Sequence, residues 1–209
     1  SRLPGRLGLF LGMTGVNINA ADALYAGFAD HAVAAERRQA VIDSLAELDW
    51  ALDDAGRRAQ VSAVLDAEEC PSMPVSELQH RVAKINERAA SDELPVLYAA
   101  LTAASPDDPW LDRAARTLAK GSPTSAALIF RQWQRGRTMT LAEVFREELI
   151  ISTQCARHPD FIEGARALLV DKDNAPRWQP ATLAEITESW IDGHYVSPWQ
   201  GEHPLADLR

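Results

Sequence analysis

Along most of the chain apolar residues recur every three or four positions, and few runs alternate with period two. That spacing predicts helices almost throughout. Residues 5–14 read as a helix closed by Gly15, and Asn19 as the N-cap of a short helix with Ala23, Leu24 and Phe28. Residues 29–33 read as a short extended segment. A long helix is predicted over 34–52, with Val41, Leu45 and Leu48 on one side, broken at Gly56 and resumed over 57–66. Cys70-Pro71-Ser72-Met73-Pro74 reads as a linker. Helices follow over 75–90, with Leu78, Val82 and Ile85 in step, and over 93–104. Asp108 then caps a helix that has Pro109 in its first turn, and Trp110, Leu111, Ala114, Ala115 and Leu118 form an apolar stripe along it. Ser122-Pro123 opens the next helix in the same way, and Gly136 ends it. Two capping boxes are legible, Thr140 with Glu143 and Thr182 with Glu185. Pro159 sits in the first turn of a helix carrying Phe161, Ala165 and Leu168. The pattern as a whole predicts an all-α array of roughly eight to ten helices. Its expected divisions are 1–70, 71–190 and an extended tail over 191–209.

Charge narrows the partners. Twenty-one basic against thirty acidic residues give a net charge of −9. Such a chain repels phosphate backbones and anionic bilayers, so neither nucleic acid nor membrane is an expected partner. The longest apolar candidate for a membrane span, residues 7–13, is far short of the roughly 20 residues required. Nothing near Arg2 and Arg6 reads as a signal peptide, and the start at Ser1 suggests a trimmed chain or a piece of a longer one. Cys70 and Cys155 stand far apart in sequence. They are expected as free thiols in a reducing, cytoplasmic setting.

Taken singly, the reactive residues announce no chemistry. No phosphate loop, dinucleotide fingerprint, nucleophile elbow or zinc-helix pattern occurs, and Gly5-Arg6-Leu7-Gly8 follows no predicted strand. His31 beside Asp30 reads as a surface group or a general base, and His158 as a helix-start residue. Arg131, Arg135 and Arg137 cluster at a helix end. They suit either the helix dipole or a ligand phosphate. Asp171-Lys172-Asp173 reads as a solvated turn and Trp178 as a core anchor. Glu147 and Glu148 are adjacent, so they point to different sides of their helix and cannot act as an acid/base pair. Glu163 lies in a first helical turn, where its charge suits the dipole.

Several strings together resemble a known family. Gly8-Leu9-Phe10-Leu11-Gly12-Met13-Thr14-Gly15, followed by Ala23, Gly27 and Ala29-Asp30-His31-Ala32-Val33, resembles a stretch of the enoyl-CoA hydratase/isomerase (crotonase) superfamily. The later strings are more specific. Ser122-Pro123-Thr124-Ser125, Asp160-Phe161-Ile162-Glu163-Gly164-Ala165-Arg166-Ala167, Asp171-Lys172-Asp173 and Pro176-Arg177-Trp178-Gln179-Pro180 resemble the 3-hydroxyisobutyryl-CoA hydrolase branch. Glu148-Leu149-Ile150 departs from the Glu-(Tyr/Phe)-Arg usual in that branch.

The resemblance implies hydrolysis of a CoA thioester, as in valine degradation, with coenzyme A as part of the substrate and no separate cofactor or metal. It also implies that the chain is the C-terminal helical half of a crotonase-type fold, its N-terminal β/α half absent. On that expectation the oxyanion-hole donors and catalytic carboxylates lie in the absent half. The chain would then hold no catalytic residue, be inactive alone, and meet acyl-CoA only alongside that half. Lys172 is the residue the resemblance carries to coenzyme A. Uncovered helices imply self-association. The alternatives are a hydratase or isomerase portion, and an independent helical oligomerisation or interaction module.

Overall fold

A computed structural model describes residues 3–209. Ser1 and Arg2, on which the expectations about the chain start partly rest, lie outside them. The described residues form helices joined by turns. Their only β pairing is an isolated antiparallel bridge between Val33 and Glu69. The chain divides into two compact units, one of residues 17–84 with the segment ending at Leu7, the other of residues 8–16 and 85–209.

The unit of residues 17–84 is organised by one buried carboxylate. Helix α2 (Ala20–Ala26) opens with a reciprocal cap: Asn19 Oδ1 accepts from the Asp22 amide, and Asp22 Oδ2 accepts from the Asn19 amide, both at 2.9 Å. Asp22 Oδ1 also accepts from Ser76 Oγ at 2.7 Å and from the Leu78 amide at 2.8 Å. Asp22 is fully buried, so one side chain closes α2 and anchors the start of α5 (Glu77–Arg88). The long helix expected over 34–52 is shorter. A 3₁₀ turn leads into α3 (Arg38–Ala46), and α4 (Asp54–Ala67) begins afresh. The reason is local: Asp53 Oδ1 accepts from the Gly56 amide at 2.8 Å, so Gly56 sits in a capped first turn instead of breaking a helix. The extended segment over 29–33 contributes only the Val33 bridge, beside a 2.8 Å bond from the Cys70 amide to the Ala32 carbonyl.

In the unit of residues 8–16 and 85–209, helix α1 (Leu7–Thr14) places Gly12 against α8 (Pro123–Arg135). A Cβ on Gly12 would lie 3.1 Å from Ile129 Cγ2, so the glycine lets the two helices approach without displacing that methyl. Phe10 stacks on Trp110, ring centroids 5.8 Å apart. Helix α6 (Leu94–Thr102) packs on α7 (Pro109–Lys120), whose stripe of Leu111, Ala114, Ala115 and Leu118 is buried as its spacing requires. Helix α9 (Leu141–Arg157) opens with the Thr140–Glu143 capping box. It leads into α10 (Pro159–Ala165), with a π-helical turn over Arg166–Val170. Thr182 and Glu185 open only a single 3₁₀ turn. The next helix, α11 (Glu188–Gly193), is capped instead by Thr187, whose Oγ1 accepts from the Trp190 amide at 3.1 Å. Ala127, Leu128, Ile151 and Ile191 join α8, α9 and α11 in one core cluster. Beyond α11 the chain runs in turns pinned to α9. Arg146 donates to the carbonyls of Leu205 and Ala206, and His203 Nε2 lies 3.1 Å from the Arg146 carbonyl.

Candidate ligand-binding site

The run from Asp160 to Pro180 closes on itself. Asp160 stands in the first turn of α10, and both its oxygens are engaged. Oδ2 accepts from Ser122 Oγ at 2.6 Å, and Oδ1 accepts from the Gln179 amide at 2.8 Å. Ser122 is itself the N-cap of α8, so this one pair joins two helix starts to the returning loop. Arg166 is the hub of the run. Its Nε and Nη2 grip Glu163 at 2.9 and 2.7 Å, and its Nη1 donates to Asp171 and Asp173, each at 2.7 Å. Nη2 also reaches the Ala175 carbonyl at 3.3 Å. Glu163 takes a further bond from the Arg177 amide at 2.7 Å. These bonds, first the Arg166 guanidinium and then the Arg177 amide, hold the Glu163 carboxyl down to about 2. Asp173 is lowered by Arg166 and by the Ala175 amide, and Arg166 is raised by its carboxylates, Glu163 foremost.

Gly164 has a packing role. A Cβ there would meet the Trp178 ring at 3.3 Å, so the missing side chain lets the indole lie against α10. Trp178 Nε1 donates to the Lys120 carbonyl at 2.9 Å, at the C-terminus of α7. Trp178 is thus an anchor, as its setting between two prolines suggested. The π turn was not legible in the sequence. Its signature is the 2.8 Å bond from the Asp171 amide back to the Arg166 carbonyl, five residues earlier. The turn leaves Leu168, Leu169 and Val170 exposed while burying Ala167.

Together α8, α9, α10 and α11 enclose a cavity of about 580 Å³, open to one side. Leu128, Leu168, Leu169, Trp178 and Trp190 make its walls largely apolar. Two histidines that reading residue by residue did not bring together meet there. His158 and His194 stack at 3.9 Å between centroids, and His158 stands edge-on to Trp190 at 5.0 Å. His194 Nδ1 lies 2.9 Å from the Trp190 carbonyl. A carbonyl only accepts, so Nδ1 carries the proton. Burial holds the His194 imidazole below its ordinary value, with the nearby His158 adding to the effect. Trp190 Nε1 donates to Thr124 Oγ1 at 3.1 Å. Cys155 also lines the cavity. Burial, followed by the charge of Asp160, pushes its thiol upward, which makes it a packing group rather than a nucleophile. The cavity can take an apolar or aromatic ligand portion.

The remaining sequence candidates lie elsewhere. Arg131 pairs with Glu188 and Asp192, and Arg135 with Glu147. Arg131 and Arg135 flank the Tyr195 ring at 5.7 and 5.2 Å, and Arg137 lies over Trp133. That cluster is spent on internal carboxylates and rings, not gathered around a phosphate. Tyr195 is half-buried, with its buried hydroxyl unpaired and pushed up to about 12, chiefly by burial. His31 pairs with Asp66 at 3.1 Å in the unit of residues 17–84. Lys172 is exposed, in the left-handed region at φ 57°, between the two aspartates that Arg166 holds. Among the described residues no group of three or more His, Cys, Asp or Glu could hold a metal ion, and no helix is long and apolar enough to cross a membrane.

The family model described as enoyl-CoA hydratase/isomerase matches residues 1–195. The mitochondrial 3-hydroxyisobutyryl-CoA hydrolase of Danio rerio is 35% identical over 200 residues, 94% of this chain and 50% of that protein. The human protein of that name is 31% identical with the same coverage. The chain thus spans about half the length of these curated relatives. Among solved structures, a carnitinyl-CoA dehydratase from Mycobacterium thermoresistibile matches with a TM-score of 0.78 and 31% identity, over 98% of this chain and 55% of that one. An enoyl-CoA hydratase from Rhodobacter sphaeroides matches with a TM-score of 0.74 and 27% identity, over 94% and 53%.

The described residues are helical, as expected, but the expectation of a C-terminal half with an N-terminal β/α half absent is corrected. The family match takes in residues 1–195, and the structural match takes in 98% of the chain. The family match thus runs along nearly the whole helical chain, which is matched as one domain of that family and not as a C-terminal half. In physical terms, the polar groups of the Asp160–Pro180 run find their partners among this chain's own residues. The expectation that acyl-CoA binds only alongside such a half rested on the same division and is not supported.

Proposed function

The chain belongs to the enoyl-CoA hydratase/isomerase family, and on that premise we propose that it serves the hydrolysis of a 3-hydroxyacyl-CoA thioester of the 3-hydroxyisobutyryl class, as in valine degradation. One observation carries the reading. The Asp160–Pro180 run, whose residues resemble the hydrolase branch, forms a single hydrogen-bonded framework that supplies a wall of the apolar cavity. Identity of 31 to 35% with hydrolases from fish and human supports it. In this reading the cavity receives the apolar part of the thioester. The exposed ammonium of Lys172, three residues beyond Leu169, meets an anionic group of coenzyme A. Coenzyme A is then part of the substrate. Two free cysteines suit a reducing compartment, cytoplasmic on the sequence reading, while the hydrolase relatives are named as mitochondrial.

The test is a fluorescence titration, with Trp178 and Trp190 at the cavity as reporters, paired with an assay for released thiol. Expected outcomes are saturable binding of 3-hydroxyisobutyryl-CoA and of CoA, no binding of the free acid, and weaker CoA binding in Lys172→Ala. Absence of binding by every CoA species would refute the reading and leave an interaction module. A hydratase or isomerase is the second reading, favoured by the dehydratase and hydratase among the structural neighbours. Consumption of an enoyl-CoA without thiol release would establish that one instead.

A further inference from the structure

We infer that Arg166 is the positioning residue of the proposed coenzyme A contact: its guanidinium fixes the Asp171-Lys172-Asp173 turn and so presents the Lys172 ammonium in one place. The inference rests on the reading of Lys172 given above and concerns how that lysine is held.

The geometry is specific to the two neighbours of Lys172. Arg166 Nη1 bonds the residue on either side of it, Asp171 and Asp173, at 2.7 Å each. The other edge of the guanidinium grips Glu163 on α10, and Nη2 also reaches the Ala175 carbonyl. One planar group therefore ties the helix to both flanks of the turn and to its exit. Backbone bonds close the same turn, from the Asp171 amide to the Arg166 carbonyl and from the Asn174 amide to the Ala167 carbonyl. Within it, Lys172 and Asn174 take φ of 57° and 52°, a region non-glycine residues seldom occupy. Among the described residues these two are the only non-glycine positions with positive φ. Such backbone persists only where surroundings over-determine it, and Arg166 supplies most of those surroundings.

Charge gives a second argument. Glu163, Asp171 and Asp173 lie close together, and without a cation among them they would repel one another and attract the nearest ammonium. Lys172 is the lysine next to them in sequence. With Arg166 engaging all three carboxylates, Lys172 stays exposed and, among the described residues, enters no ion pair. Lysine could not replace Arg166, because a point charge cannot hold Glu163 in two bonds while bridging two aspartates in the same plane. The sequence reading carried Lys172 forward and left Arg166 as part of a motif. The structure assigns the arginine its task.

The experiment compares dissociation constants for CoA and for dephospho-CoA, which lacks the 3′-phosphate, in five proteins: the parent, Lys172→Ala, Arg166→Gln, Arg166→Lys and the double variant Arg166→Gln/Lys172→Ala. The ratio of the two constants reports a placed positive charge and is insensitive to general loosening. Lys172→Ala is expected to weaken CoA about tenfold and to flatten the ratio. Arg166→Gln should do the same with Lys172 still present, Arg166→Lys should not restore it, and the double variant should be no weaker than the singles. If Lys172→Ala flattens the ratio and Arg166→Gln does not, the inference is overturned while the coenzyme A reading stands. If Lys172→Ala leaves CoA binding unchanged, the reading of Lys172 falls, and this inference with it. Should Arg166→Gln fail to fold, Asp173→Asn releases one flank of Lys172: a reduced ratio supports the inference, an unchanged one overturns it.

Discussion

His194 shows how a single residue couples a buried ring to pH. It is almost inaccessible, its Nδ1 proton is committed to the Trp190 carbonyl, and its ring is stacked on His158. Burial lowers its folded value, so as pH falls the unfolded chain takes up the proton first. Its contribution is therefore complete above the ordinary histidine value of about 6.5 and declines below it. Denaturant midpoints measured across this range should fall as pH drops, and His194→Asn should flatten the slope. Identical slopes in parent and variant would count against the assignment. Neither histidine invited this reading from the sequence. His158 was legible only as a residue before a proline, and stacking between residues thirty-six apart in sequence has no periodic signal. Trp178 was different: two prolines beside an aromatic already marked an anchor, and its bond to the Lys120 carbonyl supplies the partner.

Elements that depend on local rules were the legible ones. The caps at Asn19, Asp108, Ser122 and Thr140 follow from residue type and spacing, and each side chain accepts from the amide expected of it. Elements that depend on distant partners were not. Asp22 is the acceptor for Ser76 and Leu78 across more than fifty residues of chain, a pairing that leaves no local pattern. Asp22→Ala would leave buried donors unpaired at about 1–3 kcal/mol each. Hydrogen exchange should show α2 and the start of α5 losing protection, with α8 and α9 unaffected; uniform loss across the chain would contradict this. The Asp160–Pro180 run behaves as an element in its own right. Glu163 titrates at about 2 when folded, and Asp173 is also lowered. Their contribution is thus present above the ordinary carboxylate value and is lost as pH falls through the folded one. Trp178 fluorescence should accordingly hold its native value below pH 4 and change only near about 2. Arg166→Gln should move that change up toward the ordinary carboxylate range, and a transition that stays where it was would separate Arg166 from the loop.

At the scale of the whole chain, the family was legible because its most specific strings bind one another. The surface left by the π turn was not, because helical periodicity assigns Leu168 to an inward face and gives no place to an extra residue per turn. Phe161, Ile162, Leu168, Leu169 and Val170 are all more than 60% exposed within ten residues of sequence. So many exposed apolar side chains in one short stretch are uncommon on a monomer and mark an interaction surface. Self-association, which the sequence led us to expect, would cover the part of this stretch outside the cavity, Ile162 and Val170 among it. The net charge of −9 opposes bringing two copies together, so the balance is sensitive to salt. Screening weakens the repulsion between copies and leaves apolar contact intact. Sedimentation velocity should therefore show association that rises with protein concentration and strengthens from low to moderate salt. Val170→Glu places a charge on that surface and should return the chain to monomer without changing its helical content. Association that weakens with salt would point to ionic contacts elsewhere, and a strictly monomeric chain at high concentration would leave these residues with no partner of their own kind.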